Sequence, residues 1–238
     1  MVVAGNTDVP ARLLMACVIL LVVAGCTSSH GIRPVDRTER ETLWQQHNEK
    51  VSGISGWNLK GKMAVKTGHK GGSATLIWNY QQDKQKIELY GPFGGGRVRI
   101  TTQPDHAVLK DTKGKVIEGN NAAEVLYERL GWQVPFEELQ YWARGIPSDY
   151  GPNGDDLHGA AVDITLDNSG RLKTLKQGNW LVEYQDYKTV NQLDLPRKFL
   201  ITAVPGSMEI YSDDGEYIGD ELSVKMILKR WWDVQLAE

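Results

Sequence analysis

From Ser55 onward apolar and polar residues alternate with a period of two, the repeat of a strand that buries one face. Trp57, Leu59, Met63 and Val65 share one side, with Asn58, Lys60, Lys62 and Lys66 on the other. Gly68–Gly72 reads as a turn, Leu76, Trp78 and Tyr80 continue the alternation, Gln81–Gln85 turns again, and Ile87 and Leu89 follow. The meander runs on through Val98, Ile100, a Pro104-Asp105 turn, Val108, a Lys113-Gly114 hairpin and Val116. Further strands are predicted near Ala161–Leu166, Leu172–Gln177, Trp180–Tyr184, Lys198–Ala203, Ser207–Tyr211 and Leu222–Leu228, with turns at Asn168-Ser169-Gly170 and Asp213-Asp214-Gly215.

Helical spacing replaces the period of two in three places. Thr38-Glu39-Arg40-Glu41 is a capping-box pattern ahead of Leu43, Trp44, His47 and Val51. Asn121–Leu130 puts Ala122, Val125, Leu126 and Leu130 on one face, with Gly131 as its stop. Pro135–Arg144 carries Phe136, Leu139 and Trp142, ended by Gly145-Ile146-Pro147, and Ser148–Leu157 is a polar loop. About ten or eleven antiparallel strands with one apolar face and a few helices predict a mainly β single domain, a strongly curved sheet wrapped over short helices.

The front of the chain follows a different rule. Leu13–Cys26 is an apolar run of about a dozen residues, short of the ~20 that span a bilayer and suited to a secretory signal. It ends in Val23-Ala24-Gly25-Cys26, which resembles the bacterial lipobox, whose cysteine is acylated and becomes the first mature residue. Residues 1–25 are then a signal peptide that is removed, and 26–37, polar with Gly and Pro, a lipidated tether. Thr27-Ser28-Ser29 lacks the Asp that favours inner-membrane retention, so the resemblance implies outer-membrane sorting.

Composition narrows the chemistry. Cys17 leaves with the signal and Cys26 is acylated, so no internal disulfide is expected and the core must hold the fold. Cleavage removes Arg12 and Asp8 together and leaves the formal charge at −3, which argues against a nucleic-acid-binding surface. Roughly 210 mature residues suit one domain with a sizeable core. His30, His47, His69, His106 and His158 have no ligand spacing, so neither a metal nor another cofactor is implied. Gly53-Ile54-Ser55-Gly56 precedes a strand rather than a helix and lacks the spacing of a nucleophile elbow. An enzyme is not expected.

Two features invite an apolar ligand. Eight tryptophans against three phenylalanines supply large rigid surfaces for a core or a lipid site. Gly91-Pro92-Phe93-Gly94-Gly95-Gly96 joins two strands. It is either a hairpin that folds Phe93 into the core or a projection whose tip enters a bilayer, where one ring gains roughly 1.5–3 kcal/mol.

Taken in order, several motifs resemble the LolB family. They are Cys26, Trp57-x-Leu59-x-Gly61-x-Met63-Ala64, Ser73…Trp78, Leu89-Tyr90-Gly91-Pro92-Phe93-Gly94, Gly131…Pro135…Leu139…Trp142-x-x-Gly145-Ile146-Pro147, Trp180-x-Val182-x-Tyr184…Tyr187 and Leu195-Pro196. The resemblance covers about Trp57 to Trp231 and departs at the triple glycine after Phe93 and in a long Ser212–Glu221 segment. It implies an incomplete antiparallel β-barrel with a helical lid over an apolar cavity, making 38–238 a lipoprotein-binding domain. The implied protein is a monomer, lipid-anchored in the outer membrane and facing the periplasm. It would take client lipoproteins from a LolA-type periplasmic carrier and insert them into outer-membrane lipid. Cys26 would carry the anchor, Gly91, Pro92, Phe93 and Gly94 the membrane-inserting loop. Trp57, Leu59, Met63, Leu76, Trp78, Leu89, Trp132, Trp142, Trp180 and Val182 are the candidate cavity lining, each with plain core packing as its alternative. The rival readings are a structural outer-membrane lipoprotein without lipid uptake and a lipid hydrolase, for which no nucleophile–base pair assembles.

Overall fold

A computed structural model describes residue 1 and residues 35–68, 70–82, 84–91, 96–149, 162–207, 210–211, 217–219 and 221–237. Every element lies in the compact unit Val35–Glu238. The first helix, α1 (Arg37–Ser52), leads into β1 (Ile54–Thr67), β2 (Lys70–Gln81), β3 (Lys84–Gly91), β4 (Gly96–Gln103), β5 (His106–Asp111) and β6 (Val116–Gly119). Helices α2 (Ala122–Leu130) and α3 (Phe136–Trp142) come next. The second strand set is β7 (Asp163–Leu166), β8 (Leu172–Gln177), β9 (Trp180–Val190) and β10 (Leu193–Ala203). It is followed by β11 (Ile210–Tyr211), β12 (Tyr217–Gly219) and β13 (Leu222–Leu236). No helix among the described residues is long and apolar enough to cross a membrane.

Two antiparallel meanders make one sheet. The order β6-β5-β4-β3-β2-β1-β13-β10-β9-β8-β7 has β13 joining the two, and β11–β12 form a separate ribbon. Eleven strands in a curved, unclosed sheet match the expected count and architecture, and the ribbon adds two. Register shifts at Lys60/Gly61 against β13 and at Pro196/Lys198 against β9 mark bulges, which bend strands and increase their twist. Pro196 sits at such a bulge, where a missing N–H is tolerated. The free edges, β6 and β7, are four residues each, short enough to blunt edge pairing.

Several boundaries differ from expectation for local reasons. The N-cap of α1 is Asp36, which accepts from the backbone N–H of Arg37, so the capping box at Thr38 lies inside the helix. The turns at 68–72 and 81–85 shrink to two residues, because Gly68 and Gln82 take left-handed φ values of 51° and 48°. In the β5–β6 hairpin the inward residues are Ala107, Leu109 and Ile117; Val108 is half-buried and Val116 half-exposed, one register step off the sequence reading. Strands β9, β10 and β13 run well past their predicted ends, closing a hairpin through Asn191 and Gln192, both left-handed. Most of the loop 148–157, the Asp213-Asp214-Gly215 turn and residues 208–209 of the strand expected at 207–211 lie outside the described residues.

Helix α1 packs at the β7–β8 corner through a close approach. Gly170 has φ +71°, and a Cβ there would overlap the side chain and backbone of Leu43 and Trp44. Helix α2 starts at Asn121, whose side chain accepts from Glu124 N–H at 2.8 Å, and stops at left-handed Gly131. It lies over β4–β6.

Candidate functional site: a concave apolar face under two helices

Strand pairing turns alternating residues into rows that cross the sheet. One row runs Ile117–Leu109–Ile100–Ile87–Trp78–Leu59–Trp231 from β6 to β13. Another runs Val65–Val224–Ile201–Val182–Leu175 across β1, β13, β10, β9 and β8. All twelve residues are buried, and no polar side chain interrupts either row.

Helix α3 supplies the facing surface. Phe136, Leu139 and Trp142, spaced by three, are completely buried on one helical face. The Phe136 ring lies edge-on to Trp78 at 5.6 Å, and the Trp142 ring edge-on to Trp180 at 6.4 Å. A polar clasp holds the C-terminal end of α3. Gln177 Oε1 accepts from Trp142 Nε1 at 3.1 Å and from Ser148 N–H at 2.9 Å, while its Nε2 donates to Ser148 C=O at 2.6 Å. The Tyr184 hydroxyl donates to Trp142 C=O at 3.1 Å, and burial pushes its pKa upward. Arg144 donates to the Ile54 and Gln140 carbonyls at 3.3 and 3.2 Å, over the Tyr141 ring; burial pulls its pKa down.

Some polar groups sit inside without compensation. Glu138, 3% exposed, leaves Oε1 without a partner among the described residues, and burial pushes its pKa up to about 7. Glu137 is also raised by burial, although its Oε1 accepts from Ala122 N–H at the start of α2, at 3.1 Å. The indole N–H groups of Trp57 and Trp231 are buried with no partner among the described residues, and the two rings lie 5.2 Å apart. Where α2 and α3 meet the β8–β9 turn a pocket of about 380 Å³ opens, lined by Tyr127, Val134, Pro135, Glu137, Glu138 and Trp180. Trp180 thus borders both this pocket and the buried interior.

Residues 55–231 match the family model described as outer membrane lipoprotein LolB. The chain belongs to the LolB family. Relatives named outer-membrane lipoprotein LolB agree along nearly the whole chain. That of Pseudomonas fluorescens is 28% identical over 92% of this chain and 95% of its own. That of Stutzerimonas stutzeri is 29% identical over 95% and 97%. Among solved structures, a LolA-superfamily protein of Nitrosomonas europaea is 6% identical with a TM-score of 0.43, covering 84% of this chain and 94% of that one. The protein is therefore an outer-membrane lipoprotein of the lipoprotein-localisation family.

The structure gathers the ten residues singled out as cavity lining. Trp57, Leu59, Met63, Leu76, Trp78, Leu89, Trp142 and Val182 are at most 1% exposed, Trp180 5% and Trp132 7%. Within the LolB fold they form one cluster with Phe136, Phe199, Tyr184 and Trp231, which periodicity did not nominate as lining. Gln177 and Glu138 were also missed. A glutamine ahead of Gly178 looks like an ordinary turn residue, and one of two adjacent glutamates on a short helix carries no sign of burial. Gly91 pairs with Gly96 at the β3–β4 tip, while Pro92, Phe93, Gly94 and Cys26 lie outside the described residues.

Proposed function

We propose that the protein is the outer-membrane acceptor in lipoprotein localisation. It takes acylated lipoproteins from a LolA-type periplasmic carrier, shelters their acyl chains on the concave face, and releases them into the outer membrane. The observation that carries this reading is the uninterrupted apolar face covered by helices α2 and α3, the latter held at its C-terminal end by a few hydrogen bonds.

Magnitudes support displacement of the lid by a ligand. Withdrawing Phe136, Leu139 and Trp142 exposes three side chains worth roughly 1.5–3 kcal/mol each. An acyl chain of on the order of fifteen CH₂ groups gains ~12 kcal/mol on burial, at ~0.8 per CH₂. One chain therefore more than replaces what the lid gives up. The pocket beside Trp180 is where the chains enter. Transfer runs downhill from carrier to acceptor to bilayer. Cys26 anchors the domain through the 26–37 tether, with the domain facing the periplasm, and Phe93 at the β3–β4 tip carries the apolar contact with the membrane.

A structural lipoprotein with a filled core is the second reading, and the deep burial of all ten lining residues fits it as well. An acyl-chain fluorophore separates the two. The acceptor reading expects saturable binding that a lipidated peptide displaces, with a change in tryptophan emission. The filled-core reading expects neither.

A further inference from the structure

Although the chain carries a net charge of −3, one end of its sheet is cationic. Antiparallel order brings the β1–β2 turn, the Gly91–Gly96 pair and the β5–β6 turn to the same end. The last two touch: a Cβ at Gly96 would overlap the Thr112 hydroxyl. Pairing aligns Lys62, Thr75, Tyr90 and Arg97 in one row and Glu88, Arg99 and Lys110 in the next, while Lys113 and Lys115 flank the hairpin Gly114.

Two carboxylates set among these cations are already satisfied. Glu88 accepts from Arg99 Nε at 2.8 Å and from the Tyr90 hydroxyl, with Arg97 Nη2 at 3.4 Å. Asp111, its side chain 4% exposed, is held by Arg129 Nη2 at 2.8 Å. Lys62, Lys110, Lys113 and Lys115 are exposed and form no ion pair with a described residue. Their ammonium groups therefore face solvent.

We propose that this end of the sheet is an electrostatic contact surface for anionic phospholipid headgroups, whose phosphates meet Arg97, Lys110, Lys113 and Lys115. The inference rests on the membrane-delivery reading and adds what orients it. A basic face attracted within a Debye length of an anionic bilayer sets the β3–β4 tip toward it.

The test uses the mature chain, residues 26–238, with Cys26→Ala, so that neither the signal run nor an acyl anchor holds it to vesicles. Sedimentation compares phosphatidylcholine vesicles with and without roughly one-third phosphatidylglycerol, at low and high salt. At low salt the anionic vesicles bind at least about tenfold more tightly, and high salt erases the difference. The exposed-site variant Lys110→Glu/Lys113→Glu/Lys115→Glu loses that preference while keeping its melting temperature. Equal binding to both vesicle types, or an unchanged preference in the triple variant, overturns the proposal. Acyl-probe uptake is read on the same samples. Loss of preference with uptake intact, in the triple variant alone, supports the surface. Absent uptake with the preference present sinks the acceptor reading and leaves the surface standing.

Discussion

Glu138 has a pH signature that a surface carboxylate would not. Its raised pKa means that the folded protein holds a proton the unfolded chain has already released. The stability linked to it is complete below the ordinary Glu range and lost as pH rises from 4.5 through about 7, a span worth about 3 kcal/mol. Glu138→Gln keeps the shape without the charge. It should leave the melting temperature nearly unchanged at pH 4 and raise it by several degrees at pH 8. An equal shift at both pH values would contradict an uncompensated buried carboxyl. Phe93 is tested by separating stability from delivery. Phe93→Glu should fold normally and take up lipoprotein from the carrier, yet fail to deliver it, because a charge in hydrocarbon costs more than the ring gains. Phe93→Leu should deliver almost normally. A sharp fall in melting temperature for Phe93→Glu, with uptake and delivery lost together, would put the ring in the core instead.

In the proposed function, helix α3 is the element on which uptake turns. Gln177→Leu removes the three hydrogen bonds of the clasp, to the Trp142 N–H and to the two Ser148 backbone groups, each loss worth about 1–3 kcal/mol. Hydrogen exchange should accelerate in 136–142 while β2 and β3 stay protected, and probe uptake should quicken. Uniform loss of protection across the sheet would show that Gln177 supports the whole fold rather than the lid. Elements were legible where one physical rule acts alone. The period of two marked β1 to β4, and Asn121 and Gly131 marked the ends of α2. Strand ends set by partners were not. β13 extends to Leu236 because β1 lies beside it, and the tail of β9 is ordered by pairing with β10 through a hairpin lacking Asn-Gly. The same holds within the site. Apolar residues announced themselves by spacing, whereas Gln177 and Glu138 take their roles from contacts made between distant segments.

At the scale of the whole molecule, the proposed function gives the unclosed sheet and its covering pair of helices one purpose, sheltering acyl chains on their way from carrier to membrane, with the proposed anchor keeping that shelter at its destination. Intact-mass measurement of the membrane-extracted protein should show a chain beginning at Cys26 with a lipid increment; an unmodified residue 1–238 chain would refute the anchor. The central claim is acceptance of lipoprotein, and transfer of a radiolabelled lipoprotein tests it most directly. Starting from the complex with a LolA-type carrier, label should move to this protein without added nucleotide and then to vesicles. Label that stays with the carrier, while the carrier remains competent toward another LolB protein, would contradict the account.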